Sequence, residues 1–192
     1  MINIMCVTNR HLCEAANLDF LYRIEEIAKY APAGIILREK DMTSDEYKRL
    51  AIQVLKICES HSVPCILHNF PDVAIELKAT SIHLPLHILR KLDSDTKRHF
   101  HTIGASCHSV EDATEAESLG CTYITAGHVF TTDCKKDLAP RGLEFLKCVC
   151  DSVNIPVYAI GGITNENLAN IEAVGAAGAC IMSGLMTGSF SF

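Results

Sequence analysis

The sequence predicts an α/β protein, a (βα)₈ barrel whose final helix is truncated or missing. Short apolar or β-branched runs alternate with stretches of helical periodicity along all 192 residues, a pattern typical of parallel strands joined by helical crossovers. The runs are almost continuously apolar, as expected of strands that are buried on both faces. Eight such runs leave about 24 residues per βα unit, a short repeat for this fold.

Each predicted strand is a run of apolar or β-branched residues. In chain order the predicted strands are Ile2–Thr8, Gly34–Arg38, Pro64–His68, Ser81–Leu84, Thr102–Ser106, Tyr123–Gly127, Pro156–Ile160 and Ala179–Met182. The helical spacing of apolar residues predicts helices over Leu18–Tyr30, Ser44–His61, Val73–Lys78, Leu86–Lys97, Ser109–Leu119, Leu143–Ser152 and Asn165–Val174. Ser44, Ser109 and Thr164 are N-cap signals, and Gly120 and Gly175 are typical helix ends.

The alternative fold is an open, doubly wound sheet, which normally has a glycine-rich phosphate loop after its first strand. The first strand here ends Thr8-Asn9-Arg10, without glycine. Only ten residues follow the eighth strand, so the closing helix has little room. Because no linker or low-complexity segment interrupts the pattern, we expect residues 1–192 to form a single barrel domain.

Composition excludes several function classes. With 17 Lys and Arg against 23 Asp and Glu, the net charge is −6, and the scattered basic residues do not favour a nucleic-acid partner. The chain starts without the pattern of a signal peptide, and no apolar stretch approaches the roughly 20 residues of a membrane helix. Ten cysteines without a CxxC pair favour a reducing cytoplasm over a disulfide framework.

In a (βα)₈ barrel the functional residues lie at the carboxyl ends of the strands. Glycines after strands seven and eight, in Gly161-Gly162 and Ser183-Gly184, predict a phosphate site, with a tight turn into a helix as the alternative for the first pair. Arg38 and Lys40 lie two residues apart at the end of strand two and would point into the same space. The alternative is that they pair with Glu39 or Asp41.

Further candidates follow strands five and six. Ser106 ends strand five, and Lys135 and Lys136 lie in a polar loop that either folds over a ligand or is solvated surface. His128 is the candidate acid/base residue, with a buried structural histidine as the alternative. Four histidines lie near strand ends, but without a His-x-His pair or clustered carboxylates we predict no metal site.

The segments IGASCHS at 103–109, GHVFTTDCKK at 127–136, YAIGGI at 158–163 and MSG at 182–184 occur in this order. Together with Arg38-Glu39-Lys40 they resemble the thiamine phosphate synthase/TenI superfamily, whose members are (βα)₈ barrels. The resemblance implies that Lys135, Arg38 and Ser106 contact substrate and that Gly161, Gly162, Ser183 and Gly184 hold a thiazole phosphate.

Two activities share this barrel. The synthase joins a hydroxymethylpyrimidine diphosphate to a thiazole phosphate, with Mg²⁺ held by two aspartates, and the resemblance aligns those aspartates with Asn69 and Ile88. The loop at 127–136 is more similar to thiazole tautomerases, in which the residue matching His128 is catalytic. The leading expectation is therefore a cofactor-free tautomerase, an isomerase that aromatises a dihydrothiazole phosphate carboxylate.

Two other interpretations of the sequence stay open. One is a thiamine phosphate synthase that requires Mg²⁺, favoured by Lys40, which completes the Arg-x-Lys pattern of synthases. The other is a non-catalytic regulatory binder of a phosphate ligand. In each case the expected partner is a small-molecule phosphate rather than a membrane or nucleic acid. Where the last helix is missing, we expect a homodimer contact or an exposed apolar edge.

Overall fold

The fold is that of a computed structural model, which describes residues 2–133 and 138–192. Eight parallel strands form a closed barrel in chain order, and β8 pairs with β1. The strands are β1 (Asn3–Val7), β2 (Gly34–Leu37), β3 (Cys65–His68), β4 (Ser81–Pro85), β5 (Thr102–Cys107), β6 (Tyr123–Gly127), β7 (Val157–Ile160) and β8 (Gly178–Ile181). Every predicted strand is present to within one residue at each end, so the predicted α/β barrel is confirmed.

The helices pack around the outside of the barrel. Within the described residues they are α1 (Arg10–Ala15), α2 (Phe20–Ala28), α3 (Ser44–Ser60), α4 (Pro71–Glu76), α5 (Leu86–Leu89), α6 (Ser94–Lys97), α7 (Val110–Ser118), α8 (Gly142–Ser152), α9 (Leu168–Ala173) and α10 (Ser183–Thr187). The long helix predicted after β4 is two short ones, because Asp93 caps α6 by accepting from the N–H of Thr96. The predictions did not include α1, which begins at the Asn9 cap.

The helix after β8 is short. Helix α10 has five residues and ends at Gly188, whose φ of +81° is left-handed. The chain then turns back, and the N–H of Phe190 donates to the carbonyl of Gly184 at 2.9 Å. The ring of Phe190 is buried, so the tail after α10 is folded back against the protein.

Tyr47 of α3 connects the outer layer of helices to the carboxyl ends of two strands by hydrogen bonds. Its side chain is fully buried, and its hydroxyl donates to the carbonyl of Leu37 and accepts from the N–H of His68, both at 2.7 Å. Burial raises the pKa of this phenol well above its usual value, so it keeps its proton. The residues after β2 and β3 are thereby held in fixed positions at the mouth of the barrel.

The cysteines are structural in the part of the chain that the structure describes. All nine of them there have free thiols, and most are buried among apolar side chains.

None of the helices found in residues 2–133 and 138–192 has the length and apolar character needed to cross a membrane.

Candidate active site

A cavity of about 470 Å³ opens at the carboxyl ends of the strands. Seven of the nine predicted site residues line it: Arg38, Lys40, Ser106, His128, Gly161, Gly162 and Ser183. Gly184 does not, because its α-carbon faces Phe190, where an added Cβ would lie 2.9 Å from the Phe190 Cβ. Lys135 lies outside the described residues, as do Cys134 and Lys136. Residues from both halves of the chain therefore meet in one space.

Arg38 reaches from β2 across the end of β1 to β8. Its backbone N–H donates to the Thr8 hydroxyl at 2.9 Å, which fixes the start of the side chain. Its guanidinium lies 3.9 Å from the Met182 sulfur, beside Ser183. The guanidinium charge is therefore near the start of α10, where Ser183 belongs to the predicted phosphate site, and it lines the same cavity as Gly161 and Gly162.

Glu39, between Arg38 and Lys40, points the other way. Its buried carboxylate accepts from the Thr8 hydroxyl at 2.7 Å and from the Arg10 backbone N–H at 3.2 Å, and it pairs with the Arg10 guanidinium at 3.1 Å. Asp41 also pairs with Arg10, which together with His11 holds the pKa of Asp41 below its usual value. Since residues alternate sides along an extended segment, anchoring Glu39 outward turns its two basic neighbours towards the cavity.

Replacing Glu39 by Gln tests this anchor. The amide keeps the shape but loses the charge, and its NH₂ group would face the donors of Thr8 and Arg10. We expect about tenfold weaker binding of inorganic pyrophosphate by calorimetry, with a loss of about 1–3 kcal/mol in unfolding free energy. The control is Glu76→Gln, which breaks the exposed Lys48–Glu76 pair and should change stability by less than about 1 kcal/mol. Equal pyrophosphate affinity in Glu39→Gln and wild type would contradict the anchoring role.

Two buried imidazoles lie side by side on the neighbouring strands β3 and β4. His68 and His83 are both 3% exposed, and their rings stack with centroids 5.9 Å apart. Burial, followed by the neighbouring imidazole of His83 and the charges of Arg38 and Lys40, lowers the pKa of His68 to about 2. Burial and Arg38 lower the pKa of His83 to about 3. Both rings are therefore neutral near pH 7.

This burial predicts sensitivity to acid. A histidine in the unfolded chain titrates near 6.5, above the native values, so below that pH the unfolded state binds more protons. Stability present at neutral pH is lost as the pH falls from about 6.5 towards 3. From pH 7 to 5.5 we expect each histidine to cost about 1 kcal/mol of unfolding free energy. Denaturant titrations should show a smaller loss in His68→Gln than in wild type, and an unchanged loss in the exposed control His99→Gln. A similar loss in His68→Gln and wild type would contradict this explanation.

The glycines after β7 allow two loops to approach closely. Gly161 and Gly162 have φ of +98° and +68°, and an added Cβ would lie 2.3 Å from the His128 Cβ and the Thr131 carbonyl oxygen, respectively. The N–H of Phe130 donates to the Gly161 carbonyl at 3.0 Å. The N–H groups of Gly161 and Gly162 themselves donate to no acceptor among the described residues. They line the cavity and are available to an anionic ligand.

His128 lies at the wall of the cavity beside Gly161. It is 6% exposed, and its Nε2 lies 3.2 Å from the carbonyl oxygen of Leu138. Next to it, Nδ1 of His108 lies 2.9 Å from the Gly127 carbonyl oxygen. His128 thus lines the cavity while one ring nitrogen contacts the loop after β6, and its part in catalysis stays a prediction.

The donor set at the ends of β3 and β4 does not suit Mg²⁺, which prefers carboxylate and other oxygen ligands. Asn69 and Ile88 stand where the family resemblance expects aspartates. Asn69 offers one neutral amide in a left-handed backbone conformation, and Ile88, in α5, packs against the apolar core. No group of three or more His, Cys, Asp or Glu side chains among the described residues is arranged to hold a metal ion.

Sequence reasoning missed the partners of these residues. It did not identify the anchoring of Glu39 by Thr8 and Arg10, or the contacts of His83 with Ser106 and Tyr123. For Glu39 the sequence did contain a signal. The two-residue period of an extended segment places its side chain on the opposite side from those of Arg38 and Lys40. Nothing in the local sequence pairs His83 with Tyr123, since β4 and β6 are not adjacent strands.

The fold and cavity define a class, the (βα)₈ barrels with a cavity at the carboxyl ends of their strands. Within that class, the chain belongs to the thiamine monophosphate synthase family, whose sequence profile matches residues 4–185. It is 35% identical to the thiamine-phosphate synthase of Clostridium acetobutylicum, over 88% of this chain and 81% of that protein. It is 32% identical to thiamine-phosphate synthase 2 of Streptococcus pneumoniae, over 96% and 88%.

A solved structure agrees with this membership. The thiamine phosphate pyrophosphorylase of Pyrococcus furiosus superposes with a TM-score of 0.81 at 26% identity, over 97% of this chain and 88% of that one. These comparisons correct the leading expectation from the sequence. The isomerase prediction, a thiazole tautomerase, is wrong, because relatives 32–35% identical to this chain are named thiamine-phosphate synthase, a transferase.

Proposed function

We propose that this protein is a thiamine-phosphate synthase, a transferase that couples a hydroxymethylpyrimidine diphosphate to a thiazole phosphate. One observation carries the proposal: a single cavity brings together the basic pair Arg38 and Lys40 and the phosphate-type loops with Gly161, Gly162 and Ser183. A reaction between a diphosphate and a phosphate needs two anion sites in one space. The names of the relatives supply the reaction.

The proposed chemistry is a substitution at the pyrimidine methylene carbon. The bond from this carbon to the diphosphate oxygen breaks, and the diphosphate leaves with the electron pair. The lone pair of the thiazole nitrogen forms the new C–N bond. Because no C–H bond breaks, this transfer does not require a general base, and the protein has mainly to bind, orient and stabilise charge.

Two parts of the cavity would divide the anionic groups. The N–H groups of Gly161 and Gly162, with Ser183, suit the single phosphate of the thiazole. Arg38 and Lys40 suit the diphosphate, on which negative charge grows as the bond breaks. The guanidinium of Arg38 lies close enough to β8 to stand between the two groups. It would hold the reactants side by side as well as stabilise the leaving group.

The proposal assigns no resident Mg²⁺ to the protein. Asn69 and Ile88 do not form a carboxylate pair, so the mechanism uses the chain's own cations to compensate the diphosphate charge. Calorimetric titration of the ligand-free protein with MgCl₂ is expected to show no saturable binding at millimolar concentrations. Saturable binding there that is lost in Asn69→Ala would contradict this assignment.

The proposed activity is tested by incubating the purified protein with both substrates, with MgCl₂ or with EDTA, and measuring thiamine phosphate by chromatography. We expect product at an enzyme-like rate, proportional to protein concentration. The matched control is Arg98→Ala, which removes an exposed arginine paired with Asp95 on α6, outside the cavity, and should retain full activity. Absence of product both with MgCl₂ and with EDTA, from protein that is folded by circular dichroism, would contradict the proposal.

A cytoplasmic location and a homodimer stay predictions.

A further inference from the structure

A buried chain of hydrogen bonds ends at the wall of the cavity. Nδ1 of His83 lies 2.9 Å from the Tyr123 hydroxyl, and Nε2 lies 2.9 Å from the Ser106 hydroxyl. His83 and Tyr123 are each 3% exposed and do not line the cavity, whereas Ser106 does. Three strands, β4, β5 and β6, each contribute one of these residues.

The contact between His83 and Tyr123 depends on a glycine. Strand β5 separates β4 from β6, so the ring of Tyr123 has to pass across β5 to reach His83. It does so at Gly104, where an added Cβ would lie 2.2 Å from Cζ of Tyr123. The absence of a side chain at this position is therefore what allows the phenol to reach the imidazole.

The direction of the hydrogen bonds follows from counting donors. His83 is neutral, since burial and the charge of Arg38 lower its pKa to about 3, so only one of its nitrogens carries a proton. The Tyr123 hydroxyl has no acceptor other than His83 among the described residues. If Nδ1 carried the proton, it would donate to the Tyr123 hydroxyl oxygen and the buried phenol hydrogen would have no acceptor, which is costly. The phenol therefore donates to Nδ1, and the imidazole proton is on Nε2.

We propose that His83 is a positioning residue that, under the control of Tyr123, donates to the Ser106 hydroxyl oxygen and so leaves the hydroxyl hydrogen of Ser106 free to donate into the cavity. The substrate atom it meets is then an acceptor, a phosphate oxygen or an unprotonated ring nitrogen. This identification of the ligand atom rests on the proposed synthase function. The direction of the buried hydrogen bonds does not.

The direction is tested first by ¹⁵N NMR of protein labelled at histidine, because protonated and unprotonated nitrogens of a neutral imidazole have well separated shifts. For His83 of the wild type we expect the Nε2–H tautomer. In Tyr123→Phe, which lacks the phenol donor, we expect a measurable rise in the Nδ1–H tautomer. An Nδ1–H tautomer in the wild type, or an unchanged population in Tyr123→Phe, would overturn the proposal whether or not the protein is a synthase.

The link to substrate is tested by a double-mutant cycle on kcat/KM for thiamine phosphate formation. Tyr123→Phe and Ser106→Ala are each expected to lower kcat/KM by about tenfold. If Tyr123 acts through Ser106, adding Tyr123→Phe to Ser106→Ala should cause less than about a twofold further loss. The control is Tyr158→Phe, which removes the hydroxyl of a neighbouring ring that packs edge-to-face on Tyr123 at 5.8 Å, and it should leave kcat/KM unchanged.

The outcomes separate the two proposals. If the double variant lost kcat/KM by the product of the two tenfold single losses, Tyr123 would act independently of Ser106. That result would overturn the positioning role. An inactive wild type with His83 in the Nε2–H form would contradict the synthase function and leave the hydrogen-bond direction supported.

Discussion

Arg38→Ala is expected to lower kcat/KM for thiamine phosphate formation by about 100-fold. A guanidinium bound to a phosphate contributes charge-assisted hydrogen bonds of about 1.5–3 kcal/mol each, and Arg38 stands where both anionic groups of the proposed reaction meet. The loss should appear in kcat as well as KM, because negative charge on the diphosphate increases as the C–O bond breaks. Initial rates at varied concentrations of each substrate measure both parameters.

Two variants make this prediction specific. Arg38→Lys keeps the charge but not the planar fork, so it should recover only part of the lost activity. Arg98→Ala removes an exposed arginine away from the cavity and should match the wild type. Activity in Arg38→Ala within about threefold of Arg98→Ala would contradict the place of Arg38 in the site.

Gly161→Ala is expected to destabilise the protein by about 3 kcal/mol and to abolish most activity. Alanine at a φ of +98° is strained, which costs about 1–2 kcal/mol, and its Cβ would lie 2.3 Å from the Cβ of His128. Either the loop after β7 or the loop after β6 has to move, which displaces the N–H groups proposed to bind phosphate. Denaturant unfolding gives the stability, and KM for the thiazole phosphate reports the site.

Gly120 provides a matched control for this substitution. Its φ is +90°, similar to that of Gly161, but an added Cβ there has nothing within 4 Å. Gly120→Ala should therefore show the backbone strain alone, about 1–2 kcal/mol, with unchanged kinetics. If Gly161→Ala and Gly120→Ala had the same stability and the same KM, the close packing of the β6 and β7 loops would not matter for the site.

The strands were predictable because the signal for them is local. Each is a short run of apolar residues, and in a closed parallel barrel almost every such run is buried on both faces, so composition alone marks it. Short helices were harder to predict. Helix α1 has six residues, of which Cys13 is the buried one, so it carries little apolar periodicity. The division between α5 and α6 depends on one capping hydrogen bond of Asp93.

The cavity was predictable from the strand ends, since the fold itself brings those ends together. The orientation of its side chains was not. Glu39 was considered as an ion-pair partner of Arg38 and Lys40, but its carboxylate pairs with Arg10 after β1. The position of the Tyr123 ring was not predictable from its apolar strand, because nothing in the local sequence says that Gly104 leaves room for this ring to reach His83.

The activity was the least predictable part. The isomerase expectation depended on the absence of aspartates at Asn69 and Ile88 and on one short motif, the ten residues 127–136, of which three lie outside the described residues. The similarity to named synthases extends over most of the chain, up to 96% of it. A ten-residue motif gives information about one loop only. The arrangement of Arg38, Lys40 and the glycine loops depends on the whole barrel.

A single-turnover experiment tests the central claim most directly. Protein in excess over the pyrimidine diphosphate is mixed with saturating thiazole phosphate, and thiamine phosphate and pyrophosphate are measured in the same quenched samples. A synthase releases the two products in equal amounts and at the same rate, because each C–O bond broken gives one C–N bond. If the folded protein binds pyrophosphate but forms neither product, or releases pyrophosphate without thiamine phosphate, the proposed transferase function is contradicted.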